Sequence, residues 1–288
     1  MLGSLLFSIL FTLINSQFNY ILEPADQWGG ICSTGIRQSP LNFPENYTDY
    51  VTTDFFKILN VSYGKFGDGF VNTTLNITQD AIYLGNGTNR GYVLVQKNKI
   101  TYRYDLVNFN FHITSEHRFN NNYGELELQI YHTKNITYLY QNGITDVDSN
   151  NVLIISTIFK VASNLDNPNI NALNVQKRGP TINFNLGIYP PIGEGFMFYE
   201  GSLTTPPCTE NVNWVVNHKF DTISLIQYEQ ISEWISTTYL GKYNRRKYKE
   251  INNRTLYFQY YPDQKSTING KIISISIIFV IFYFLILI

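Results

Sequence analysis

The chain has 288 residues, a formal net charge of −1 and 44% apolar residues. The basic residues form no long patch, so no nucleic-acid partner is expected, and the densest basic run, Arg245-Arg246-Lys247 with Lys249, reads as solvated surface. The apolar residues gather at both ends and leave a mixed middle with one domain's worth of chain.

Residues 1–16 carry an uncharged apolar run from Leu2 to Ile14, followed by Asn15, Ser16 and Gln17. That run is short for a membrane span and right for a signal-peptide core, with cleavage expected after Ser16. The domain then covers 17–265. Its two cysteines, Cys32 and Cys208, are most simply one disulfide in an exported chain. Such a link stabilises by about 2–4 kcal/mol.

Short β-rich runs follow in order: Ala81–Leu84, Tyr92–Val95, Lys99–Tyr104, Val107–Ile113, Glu125–Tyr131, Val152–Val161, Phe196–Glu200 and Val212–His218. Turn clusters such as Gly85-Asn86-Gly87 and Asn120-Asn121-Asn122 separate them. Asn167–Asn174 and Leu225–Thr237 read as helices, the second because Leu225, Tyr228, Ile231 and Trp234 recur at helical spacing. The sum is a mostly β domain with a few short helices. Asn-x-Ser/Thr sequons begin at Asn46, Asn60, Asn72, Asn76, Asn86, Asn135 and Asn253, as expected of an exported glycoprotein.

Residues 266–288 close the chain. Ile272–Ile288 is uncharged, and as a helix it would span roughly 25 Å against a hydrocarbon core of about 30 Å. Ser266, Thr267, Asn269 and Gly270 stand just ahead of it. The pattern reads as a GPI-attachment signal, the other reading being a single membrane helix. Either one tethers the domain to the extracellular face of a membrane. No protein or carbohydrate ligand is legible.

Three of the four histidines, His112, His117 and His132, fall close together, and the fourth is His218. Strand alternation puts Asn108, Asn110 and His112 on one face, and Glu125, Glu127, Gln129 and Tyr131 on one face of the next strand. Polar side chains on an inward face are costly unless they bind something or each other. Two such stripes around Ser115-Glu116-His117 point to a buried polar site.

These residues fall into blocks with a family resemblance. Arg37-Gln38-Ser39-Pro40-Leu41, Phe109–His117 (FNFHITSEH), Gly124–His132 (GELELQIYH), Tyr199–Trp214 (YEGSLTTPPCTENVNW) and the Asn252-Asn253-Arg254 turn resemble the eukaryotic-type α-carbonic anhydrases. Among these the chain looks like the catalytically degenerate, carbonic-anhydrase-related members. The resemblance implies a large, twisted, mainly antiparallel central sheet with short peripheral helices, and the Cys32–Cys208 pairing of secreted members. It also implies a cavity where three histidines hold zinc and leave one position for water, whose pKa the metal lowers to near 7.

Matched position by position, the zinc ligands become Asn110, His112 and Gln129. Glu127 matches a carboxylate that supports a ligand. Thr204 and Glu116 match the pair that orients zinc-bound hydroxide. Ile154, Leu203, Thr205 and Trp214 match the substrate pocket, and Tyr131 stands where the family has a smaller residue. Thr74 falls at the proton-shuttle position. His132 should face away from the ligands, and His117 reads as a structural histidine bonded to backbone. Amides are weak neutral donors for zinc. The expectation is therefore no bound cofactor and a non-catalytic surface module. The alternative is an active carbonic anhydrase, a zinc lyase with atypical metal ligation.

Overall fold

The structure is a computed structural model that describes residues 28–44, 50–52, 55–63, 76–77, 82–83, 91–173, 184–192, 194–238 and 244–259. The leading apolar run, the C-terminal tail, Thr74, the Gly85–Gly87 turn and the sequons at Asn46, Asn72 and Asn86 lie outside the described residues. Among the described residues no helix is long and apolar enough to cross a membrane.

The described chain is mostly strand. The first half holds β1 (Asn42–Phe43), β2 (Val51–Thr52), β3 (Phe56–Tyr63), β4 (Asn76–Ile77), β5 (Ile82–Tyr83), β6 (Gly91–Lys97), β7 (Ile100–Ile113), β8 (Arg118–Phe119), β9 (Asn122–Tyr123) and β10 (Leu126–Lys134). The second half holds β11 (Val152–Ser163), β12 (Phe196–Gly201), β13 (Val212–Asn217), β14 (Asp221–Ser224) and β15 (Tyr257–Gln259). Short helices sit between strands: α1 (Gly30–Thr34), α2 (Ile136–Gln141), α3 (Pro168–Asn171) and α4 (Leu225–Thr238). The backbone of the large sheet runs β2-β15-β12-β13-β11-β10-β7-β5-β4, with β6 and β3 joined to β7 and β14 to β11. Most pairs are antiparallel, while β11–β13, β11–β14 and β15–β2 are parallel.

Two helices follow from local chemistry. Asn167 caps α3 by accepting from the backbone N–H of Asn169 and Ile170, and Pro168 starts it. Asn135 caps α2 through Tyr138 N–H, and the same side chain donates to Asp105. The sequon at Asn135 is thus folded into a helix cap, whereas Asn60 and Asn253 are exposed.

The largest departure from the sequence reading is β7. The runs Lys99–Tyr104 and Val107–Ile113 are one continuous strand, preceded by a turn in which Asn98 and Lys99 both have positive φ. Its phase changes midway. Tyr131 pairs with Asn108, but His132 pairs with Leu106, which leaves Val107 as a bulge. Tyr102, Tyr104 and Leu106 therefore share one apolar core with Phe109, Phe111 and Ile113. Asn108, Asn110 and His112 are turned to the opposite face.

The sheet consequently separates two apolar clusters. Leu128 and Ile130 of β10 and Leu153 and Ile155 of β11 face the larger one. Tyr131, Ile154, Met197, Tyr199 and Trp214 face the smaller one. Cys32 of α1 and Cys208 are joined with Cα atoms 5.0 Å apart, tying the segment ahead of β1 to the loop after β12.

His132 lies on the larger core's side, as alternation requires. Its Nδ1–H donates to the Leu153 carbonyl, so its Nε2 accepts from the Tyr63 hydroxyl. Burial lowers its pKa from 6.5 to about 4, against an opposing pull from the Leu153 carbonyl. The unfolded chain binds a proton there first, so stability is full above pH 6.5 and drops as pH falls toward 4. The expected loss is about 3 kcal/mol across that window. Urea midpoints of the wild type should fall over it, and those of His132→Gln should stay flat.

Candidate functional site

Strand register stacks the site in three rows. One row crosses the sheet as Asn108, Tyr131, Ile154, Trp214 and Tyr199. The next runs Asn110, Gln129 and Ser156, and the third runs His112, Glu127 and Ile158. The side chains at the three matched ligand positions are thus brought together, and all three are buried. Glu125, at the start of the second polar stripe, is only partly buried and instead accepts from Val161 N–H.

Gln129 is held by its neighbours. Its Nε2 donates to Glu116 Oε2 at 2.9 Å and to Glu127 Oε1 at 3.0 Å. Ionised carboxylates only accept, so the amide NH2 must face them and Oε1 must face the other way. There it accepts from the Tyr131 hydroxyl at 2.8 Å. Burial pushes the Tyr131 hydroxyl pKa well up, and the charge of Glu116 adds to this, while Thr204 and Asn110 beside it pull the other way. Tyr131 therefore stays a neutral phenol and a donor.

Glu127 anchors the floor. It accepts from Glu116 N–H at 2.7 Å, His117 N–H at 2.9 Å, His117 Nδ1 at 2.8 Å, Ser156 Oγ at 2.7 Å and Gln129. Burial alone would raise its pKa. The charge and hydrogen bond of His117 outweigh that, helped by His112 and Ser156, and hold it at about 2. The other ring nitrogen of His117 bonds the Tyr199 hydroxyl at 2.7 Å. His117 is structural, but its partners are side chains rather than backbone.

Glu116 and Thr204 are not hydrogen-bonded to each other. Glu116 Oε1 accepts from Arg246 N–H at 2.8 Å and Oε2 from Gln129, while Thr204 Oγ1 has no hydrogen-bond partner among the described residues. The two residues matched to the hydroxide-orienting pair are thus not bonded to each other, and Gln129 donates to one of the carboxylate oxygens.

The ring of His112 is held through Nδ1. Its Nδ1 donates to the Asn244 carbonyl at 2.6 Å, which leaves the lone pair on Nε2. That Nε2 and Asn110 Oδ1 are buried without hydrogen-bond partners among the described residues. The available donors are thus one imidazole nitrogen, one neutral amide oxygen and a hydroxyl, since Gln129 Oε1 is already used. This set does not fit zinc, which takes three or four nitrogen, thiolate or carboxylate ligands. Among the described residues no group of three or more His, Cys, Asp or Glu side chains could hold a metal ion.

The residues matched to the substrate pocket are also gathered, and all are buried. Tyr131, Ile154, Leu203 and Trp214 pack in the smaller apolar cluster, and Thr205 is buried beside Thr204. The Tyr131 ring packs in that cluster, and its hydroxyl meets Gln129. Tyr131→Phe would leave Gln129 Oε1 buried without a donor. The expected cost is about 1–3 kcal/mol, read from urea unfolding; an unchanged midpoint would show that the phenol does not secure the amide.

Sequence reasoning missed three supports. Asn244 holds His112 through its carbonyl and the strand end through its side chain, which accepts from Ile113 N–H and donates to Phe111 O. Ser156 holds Glu127. Arg246, read as solvated surface, is buried; its guanidinium donates to the carbonyls of Ser39 and Cys32, and its backbone donates to Glu116. The available signal was Asn244 directly ahead of the basic run, a small polar residue where a surface stretch needed none. His218 sits against the rings of Phe119 and Phe258, away from the site.

Comparison with known proteins agrees with this geometry. The family model for eukaryotic-type carbonic anhydrase matches residues 23–260. Dioscorin dioA3 of Dioscorea japonica is 25% identical over 277 residues, covering 90% of this chain and 92% of the relative. Carbonic anhydrase Nec1 of Nesocodon mauritianus is 26% identical over 274 residues, covering 86% and 87%. The crystal structure of a halotolerant carbonic anhydrase from Dunaliella salina superposes with a TM-score of 0.64 at 20% identity, covering 86% of this chain and 99% of that one, a likeness of fold. With the family model spanning both the strands of the site and the disulfide, the chain belongs to the eukaryotic-type carbonic anhydrase family.

Proposed function

We propose that this protein is a non-catalytic, carbonic-anhydrase-like module displayed on the outside of a cell. The observation that carries this reading is the Tyr131–Gln129–Glu116 chain of hydrogen bonds, which runs through the place where a catalytic member needs a metal and its water. Gln129 supplies no ligand, Glu116 is occupied, and Tyr131 fills the substrate wall. An extracellular location is supported by the signal-like start, the apolar tail, the sequons and a disulfide, which persists in oxidising compartments.

The second reading, an active zinc lyase with atypical ligation, draws on His112, whose Nε2 is still directed as a ligand. One experiment separates the two. The purified 17–265 fragment, given zinc, is assayed for bound metal and for CO2 hydration by stopped flow. Substoichiometric zinc and a rate equal to buffer are expected. One zinc per chain, or hydration above the buffer rate, would overturn the non-catalytic reading.

A further inference from the structure

A second buried polar cluster lies away from this site. Lys97 ends β6, Asn213 stands in β13, Tyr104 in β7, and Asp148 and Asn150 in the segment ahead of β11; all five are buried. They meet because the sheet curls. Phe56 of β3 stacks on Phe198 of β12 at 4.2 Å, carrying the paired β3–β6 end over β12 and β13.

The contacts supply each part of an acyl transfer between two side chains. Lys97 Nζ lies 3.0 Å from Asn213 Oδ1. Asp148 bridges nucleophile and leaving group: its Oδ1 accepts from Lys97 Nζ at 2.8 Å and its Oδ2 accepts from Asn213 Nδ2 at 2.9 Å. Asn150 Nδ2 donates to Asn213 Oδ1 at 3.0 Å, aimed at the oxygen on which charge would collect during attack. The Tyr104 hydroxyl accepts from the same Asn213 Nδ2 at 3.1 Å. Glu200 Oε1 sits 2.6 Å from Nζ at the partly exposed edge, facing Arg37 and the solvent.

We propose that Lys97 and Asn213 form an intramolecular isopeptide bond, with Asp148 as the proton carrier. Asp148 Oδ1 takes a proton from the Lys97 ammonium, and the freed lone pair attacks Asn213 Cγ. The Nζ–Cγ bond forms and the Cγ–Nδ2 bond breaks. Asp148 returns its proton to Nδ2, and the second proton shed by Nζ leaves with the ammonia, so that one ammonium ion departs. Nothing is oxidised or reduced and no co-reactant enters. Fixed geometry replaces a bimolecular collision. Burial alone would push the Asp148 carboxyl up, but the charge and hydrogen bonds of Lys97, with bonds from Asn213 and Asn150, outweigh it and hold it below the ordinary carboxylate value. The product ties β6 to β13 across the curl with a link that reductants do not cut, unlike Cys32–Cys208. The proposal is independent of whether the other site is catalytic.

The test is a peptide map of the full chain after secretory expression, reduction and trypsin digestion. The expected result is a joined pair of peptides, one containing Lys97 and one Asn213, lighter than their sum by one ammonia, with no cleavage after Lys97. Peptides are preferred to intact mass because an N-terminal Gln17 could also lose ammonia. Lys97→Arg should return the Asn213 peptide to its linear mass, and Asp148→Asn should lower the linked fraction at least tenfold. Recovery from the wild type of both linear peptides, with trypsin cutting after Lys97, would reduce the cluster to an ion pair and overturn the proposal. Wild-type linkage in Asp148→Asn would overturn the role of Asp148.

Discussion

Asn110→His combined with Gln129→His is expected to create a zinc site, and activity is expected only when Tyr131→Val is added. His112 already presents Nε2, and Asn244 already fixes its ring. A histidine at 129 can donate to Glu127, replacing one of the two bonds Gln129 now donates. That frees Glu116 from the other. Loss of a residue that merely supports a ligand costs roughly 10–100-fold in affinity. Two restored ligands should therefore tighten zinc by more than about 10^4-fold. Tyr131 would still fill the pocket beside Ile154, Leu203 and Trp214. The double variant should bind one zinc and hydrate CO2 no faster than buffer; the triple variant should exceed buffer. Metal analysis and stopped flow read the two steps separately. A double variant without zinc would show that the ligand positions are misassigned.

Glu127→Gln is expected to be the most damaging single polar substitution, at about 3–5 kcal/mol. The carboxylate accepts from two backbone N–H groups, His117, Ser156 and Gln129 in a fully buried setting. An amide keeps one accepting oxygen and turns an NH2 toward groups that are themselves donors. Urea unfolding measures the loss. The same residue sets an acid limit. Its folded pKa of about 2 lies below the ordinary 4.5, so its contribution is complete above pH 4.5 and lost as pH falls through 2. This window lies below that of His132, so wild-type stability should fall in two stages on acidification. The variant should lack the lower one.

Much of this site was legible because strand alternation has a period of two. The inward stripes Asn108/Asn110/His112 and Glu127/Gln129/Tyr131 follow from it, and the register confirms them row by row. The sequence blocks were specific enough to imply the fold and the Cys32–Cys208 link. The split of β7 into two runs was wrong for a definite reason. A bulge at Val107 flips the strand's phase, so a pattern reader sees two periodicities where the backbone is continuous. The partners of Glu116 were not legible, because residue identity does not say which of several donors a carboxylate accepts from.

The sequence by itself determined the family and the two polar stripes, since each depends on residue type and spacing along one or two strands. Only the tertiary structure decided how the groups on those stripes satisfy one another. The hydroxyl of Tyr131, the amide of Gln129, the backbone of Arg246 and the carbonyl of Asn244 come from two stretches of chain and meet Glu116 and His112 of a third. The same holds for Lys97, Asp148 and Asn213, which are remote in sequence and within hydrogen-bonding distance once the sheet curls. Hydrogen bonds act over about 3 Å. Which buried groups satisfy one another is therefore fixed by how strands from distant segments pack, a choice that local pattern does not encode.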